Sequence, residues 1–193
     1  MGLLGIKEKD INLAIGKKLA SLLGKNGFSV VMTRGKDENI ALEQRIRMLN
    51  QKKNPDLLIS IHANSAASSK VAGIETFCLN PSLFKIVQGI QDSRCRCILH
   101  KCREIQYKKS ERLAQLVQKA AVAAAKKLNP SVVCRGTKHA VARMLLGVNY
   151  PGVLVEVGFL TNRQEAALLR SDAYQAVIAQ GLLVAINSYF KHA

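Results

Sequence analysis

Three polar residues stand where apolar neighbours dominate, and their types suit metal and acid–base chemistry. Glu156 lies inside the run GVLVEVGF, with Val153, Leu154, Val155 and Val157 around it. Glutamate is rarely buried without a partner, and desolvation raises its pKa unless a cation compensates. A carboxylate shifted toward neutral pH is what a general base needs. His62 ends the apolar run LLISIH and is followed by small residues. Open α/β sheets place their sites at such carboxyl ends of strands. Glu8 opens a segment in which Ile11, Ile15, Leu19, Leu22 and Leu23 recur at helical spacing. At about 100° per residue it falls on their stripe, where a carboxylate needs a cation or a metal. Taken singly, each also has a plain structural reading: Glu8 as a first-turn acid facing the helix dipole, His62 as a hydrogen-bonded strand end. Together they suit a divalent ion. Catalytic zinc commonly takes three protein ligands from His and carboxylate, and a further carboxylate accepts the proton of its water. Glu75 in GIETF repeats the pattern, with burial and exposure on an edge strand equally compatible.

The elements that must position these groups alternate between strand and helix. Helix is expected over 8–26, ended by Gly27, then over 39–53 with Asn39 as its cap, 110–128, 162–170 and 172–190. Strand is expected for FSVVMTR (28–34), DLLISIHAN (56–64), GIETFCL (73–79), VARMLLG (141–147) and GVLVEVGF (152–159). Such alternation predicts a single three-layer α/β domain over 1–193, with a mostly parallel central sheet flanked by helices. The chain's 193 residues are 48% hydrophobic, enough for one sizeable core.

Charge narrows the partners. The 29 Lys and Arg outnumber 13 Asp and Glu, giving +16 and an attraction to anionic surfaces. Only four Tyr and five Phe, with no Trp, argue against a base-stacking surface, and nucleic acid is not expected as a partner. The opening MGLLGIKEKD has too short an apolar stretch for a secretory signal, and no segment reads as a membrane span. Five Cys, an odd number, do not define a disulfide framework.

Four blocks in order, EKDINLAIGKKLASLLGKNGFSVVMTR, LEQRIRMLN with PDLLISIHANS, GIETFCLNP and GVLVEVGFLTNRQEAALL, resemble the zinc-dependent N-acetylmuramoyl-L-alanine amidases. The resemblance implies Zn2+ held by Glu8 and His62, with Glu156 as catalytic glutamate and Glu75 near the reaction. It implies hydrolysis of the amide between N-acetylmuramic acid and L-alanine in peptidoglycan, in the periplasm or cell envelope, by a monomer subject to a regulatory activator protein. It also implies a first histidine ligand on a Gly-rich turn upstream of Glu8. The sequence holds no such segment, so the expectation is a start lying further upstream. The alternative is an impaired or non-catalytic wall-binding module.

Residues 85–109, KIVQGIQDSRCRCILHKCREIQYKK, fall outside the resemblance. They read as a solvated basic insert with seven Lys or Arg. Cys95, Cys97, His100 and Cys102 are spaced more tightly than the usual structural zinc pattern. Some members of the resembled family carry a helix here that covers the site, and that would bring Glu104 toward the metal. His139 and His192, like His100, match no ligand position.

Overall fold

The computed structural model describes residues 5–52, 55–79 and 93–191, with side chains described outside 93–103. Helix α1 spans Glu8–Lys25 and buries Ile11, Ile15, Leu19 and Leu23 along the predicted stripe. Gly27 follows with φ 82°, a conformation open to glycine at low cost. Helix α2 spans Leu42–Asn50, and its N-cap is Ala41 without a side-chain bond, so Asn39 is not the cap. The strands are β1 (Leu58–Asn64), β2 (Ile74–Cys78), β3 (Cys134–His139) and β4 (Gly152–Phe159). Helix α3 spans Ser93–Ala125, α4 Arg143–Leu146, α5 Arg163–Arg170 and α6 Asp172–Lys191.

The sheet order is β1-β4-β2-β3. β1 with β4 and β2 with β3 are parallel, while β2 and β4 are antiparallel. Successive residues of a strand face opposite sides, which divides the molecule. Val153, Val155 and Val157 of β4 face α1, α3 and α6 and share the main core with Leu113, Val117, Ile178 and Leu182. Leu58, with Leu154 packed against it, faces α2 and α4 in a small cluster of Leu49, Leu145 and Val148. Helices therefore cover both faces, as expected, but unequally. The thinly covered face is the one that carries the candidate site.

Three expectations are corrected. Residues 28–34 form no strand: Val30 and Val31 are 39% and 42% exposed. A strand needs a ladder partner, and among the described residues the segment has none. Residues 141–147 form the short helix α4 instead of a strand, burying Leu145 against Leu49 and Leu58. The remaining strand, β3, is CRGTKH, which has little β-propensity of its own and is held by pairing with β2 at the sheet edge. Finally, helix α3 starts at Ser93 rather than Ser110 and takes up the second half of the basic insert. That stretch contains no Pro or Gly to stop it. Gln106 also anchors it, donating to the carbonyls of Val148 and Tyr150 at 3.3 and 2.9 Å. The first part of the insert, 85–92, and the side chains of Cys95, Cys97, His100 and Cys102 lie outside the described residues, as does His192.

Candidate active site

Strand register assembles the site. His62 of β1 is the cross-strand partner of Glu156 on β4, and Glu156 is the partner of Glu75 on β2. Paired residues point to the same face, so the three form one row across the sheet. The N-terminus of α1 meets this row at the carboxyl end of β1. There Glu8 Oε1 lies 2.8 Å from His62 Nδ1 and accepts from Asn12 Nδ2 at 3.0 Å and from the Ala63 amide at 3.4 Å. The other imidazole nitrogen, Nε2, is 3.1 Å from Ser60 Oγ. The structure thus brings Glu8, His62, Glu75 and Glu156 together from residues up to 148 positions apart in the chain.

Their electrostatics differ by environment. The hydrogen bond from His62 holds the Glu8 carboxyl below its ordinary pKa, against the opposing effect of burial. Burial alone would lower His62, but the bond to Glu8 and the charge of Glu156 outweigh it and raise the imidazole. Burial pushes Glu156 up to about 7, with Glu8 and Glu75 adding repulsion and His62 partly offsetting it. One Glu156 oxygen, Oε2, is buried and has no hydrogen-bond partner among the described residues. A buried oxygen left unpaired costs on the order of 1–3 kcal/mol, so this one is positioned for something other than stability.

Glu75 resolves in favour of burial. Its carboxylate accepts from Arg135 Nε at 2.8 Å, Lys138 Nζ at 2.5 Å and Asn64 Nδ2 at 2.8 Å. Burial opposes ionisation, but the two cations prevail and hold it below the ordinary carboxylate range. Arg135, Lys138 and Asn64 gave no signal in the sequence, because their shared partner Glu75 is reached through the sheet and not by spacing; Asn12, four residues after Glu8 on α1, was passed over although helical spacing brings the two together. Glu165 was also missed. It accepts from the Gly73 and Phe159 amides at 2.8 and 2.7 Å and ties the start of β2 to the end of β4. His139 stands apart, 3.0 Å from the Tyr107 hydroxyl, and Glu104 pairs with Lys108 along α3 at 2.9 Å.

The donors present fit zinc in part. An imidazole nitrogen and a carboxylate oxygen are borderline and hard donors of the type zinc takes, and they already face each other. Among the described residues no group of three or more His, Cys, Asp or Glu gathers to hold a metal. Beside this pair runs a slot of about 520 Å³, between the open edge of β1 and the extended segment 28–34. Its walls include Leu19, Val31, Ile59, Ile61 and His62. The Asn12 Oδ1 and the Tyr150 hydroxyl, both on its lining, are buried and have no partner among the described residues.

The model of the N-acetylmuramoyl-L-alanine amidase family matches residues 2–188. The chain belongs to that family. Among curated relatives, the amidase AmiA of Escherichia coli K12 is 29% identical over 96% of this chain and 69% of its own length. LytC of Bacillus subtilis is 29% identical over 97% of this chain and 32% of its own. Among solved structures, an N-acetylmuramoyl-L-alanine amidase of Clostridium difficile 630 superposes with TM-score 0.77 at 31% identity, covering 97% of this chain and 86% of that one. AmiC2 of Nostoc punctiforme gives TM-score 0.77 at 27% identity over 98% and 88%. The open mixed sheet flanked by helices is therefore this amidase family's fold. Among the described residues, no helix is long and apolar enough to cross a membrane.

Proposed function

We propose that the chain hydrolyses the amide between N-acetylmuramic acid and L-alanine in peptidoglycan, using zinc held by Glu8 and His62 and Glu156 as the base. The observation that carries the reading is the unpartnered Glu156 Oε2 in the same row as the Glu8–His62 pair. Zinc, when bound, polarises the scissile carbonyl and acidifies a water. Glu156 takes the proton of the attacking water on Oε2 and delivers it to the departing L-alanine amine. A pKa near 7 suits both halves of that transfer. Ser60 holds the outer nitrogen of His62 and so fixes the ring that presents Nδ1 to Glu8. Asn12 orients Glu8 in the same way. Glu75, fixed by Arg135 and Lys138, adds negative charge that keeps Glu156 basic. Among the described residues no third ligand joins the pair, and the slot beside His62 leaves room for one. Action in the cell envelope and recruitment by an activator go with this reading; a Clostridioides difficile CwlD amidase superposing with TM-score 0.73 was solved in complex with the GerS lipoprotein.

The test is peptide release from purified sacculi, with zinc counted on the same sample. About one zinc per chain, release of peptides with a free L-alanine amine, and a loss of two to four orders of magnitude in Glu156→Gln are expected. Undiminished hydrolysis in that variant would overturn the assignment of Glu156. Sacculus binding with neither zinc nor release would favour the wall-binding module.

A further inference from the structure

Continuing the His62–Glu156–Glu75 row to the next strand leads to Arg135 and Lys138 on β3. Residues three apart on a regular strand point to opposite faces. Here both reach the same carboxylate oxygen, Glu75 Oε2. The reason is an irregularity in the ladder. Ile74 pairs with Cys134 and Thr76 with Thr137, so β3 spends three residues where β2 spends two. Gly136, at φ 77°, sits within the extra length. Such a bulge re-aims a side chain, and bulges concentrate beside active sites.

One cation would suffice to neutralise Glu75. Two are brought to it, and both remain open to solvent, at 31% for Arg135 and 40% for Lys138. Arg135 donates through Nε, and among the described residues its terminal nitrogens have no acceptor. Those nitrogens form the planar fork that matches a carboxylate. Aromatic rings hold both cations in place: Arg135 lies over Phe159 at 5.1 Å and Lys138 over Phe77 at 5.8 Å. Glu165 adds a weaker pull on Arg135, but its own oxygens are taken by backbone amides.

We infer that Arg135 and Lys138 form a carboxylate-binding subsite that recognises an acidic residue of the stem peptide, on the leaving-group side of the bond. This rests on the amidase reading, because the position of Glu156 sets the distance. From β4 to β3 is two strand spacings, roughly 10 Å. That is about the length of three extended residues, or two plus an acidic side chain. On the glycan side the lactyl carboxyl is consumed in the scissile amide, so a free carboxylate within that reach belongs to the stem peptide.

The probe is L-alanyl-D-glutamate with its γ-carboxyl blocked as the methylamide, compared with the same compound also amidated at the α-carboxyl, titrated calorimetrically into the full chain at 0.15 M salt. The free acid is expected to bind at least tenfold tighter than the amide. Lys138→Met should reduce that preference to about twofold, and Lys138→Arg should restore it. Glu75→Gln, which frees both cations, should increase the preference, a gain that a purely structural role for these residues does not produce. Equal binding of acid and amide, with sacculus hydrolysis intact, would overturn the subsite and leave the amidase reading standing. A retained preference without hydrolysis would support an acidic-peptide site and overturn the amidase reading. Neither preference nor hydrolysis would overturn both.

Discussion

A carboxylate whose pKa is raised to about 7 has consequences in two directions. In its proposed role as base, Glu156 works only when ionised, so kcat/KM is expected to rise with pH through about 7 and to level off above it, measured on soluble muropeptides. For stability the sign is opposite. The folded pKa exceeds the ordinary glutamate value of 4.5, so folding favours the protonated form. The contribution is fully present below about 4.5 and is lost as pH rises through about 7. Ionisation at pH 8 then costs on the order of 3 kcal/mol relative to acid conditions. Glu156→Gln should accordingly raise Tm by several degrees at pH 8 and change it little at pH 5, read by thermal melts of the metal-free protein. A variant that melts identically at both pH values would show that the carboxylate is not desolvated. His62, raised in the fold by Glu8 and Glu156, must lose its proton before it can ligate. If zinc binds as proposed, its affinity should therefore increase with pH, checked by competition with a chelator at pH 6 and 8.

At the scale of elements, the site depends on how firmly the two packed helices behind the sheet hold it. Gly181 of α6 lets α3 approach closely: a Cβ placed there would lie 2.8 Å from the Ala120 carbonyl oxygen and 2.8 Å from the Ala124 Cβ. Backbone on one side cannot give way, so Gly181→Leu should force the helices apart and cost about 1–3 kcal/mol or more, measured by denaturant unfolding. Asn162 caps α5, its Oδ1 accepting from the Gln164 and Glu165 amides at 3.1 Å each. Asn162→Ala should cost about 1 kcal/mol. Because Glu165 in that first turn also fastens Gly73 and Phe159, the same change should loosen the β2–β4 contact that aligns Glu75 with Glu156. A fall in kcat larger than the loss of folded protein would reveal that coupling.

For the whole molecule, the net charge of +16 acts through range and not through contact. Association with anionic sacculi should weaken strongly between 0.05 and 0.3 M salt, followed by pelleting assays, while kcat on a small neutral muropeptide stays nearly constant. The open edge of β1 is the other property of the whole. The slot between it and residues 28–34 joins that edge to Asn12 Oδ1 and the Tyr150 hydroxyl, which have no partner among the described residues, beside the Glu8–His62 pair. The thin cover of α2 and α4 leaves this face the accessible one.

Residue type and periodicity were enough to locate α1, β1, β4, α5 and α6, because each carries a long apolar signal that burial requires. They also singled out Glu8, His62 and Glu156, since a carboxylate among valines is conspicuous wherever the chain goes. What they did not contain was the ladder. FSVVMTR has strand-forming residues and no strand beside it, whereas CRGTKH has few and is a strand because β2 offers an edge. The length of α3 escaped because its first half is dominated by basic residues, and Gln106 is anchored by the distant carbonyls of Val148 and Tyr150. The choice between burial and exposure for Glu75, and the pairing of Arg135 with Lys138, rested on a single extra residue at a bulge. Register is a property of two strands at once, so neither strand's sequence carries it alone.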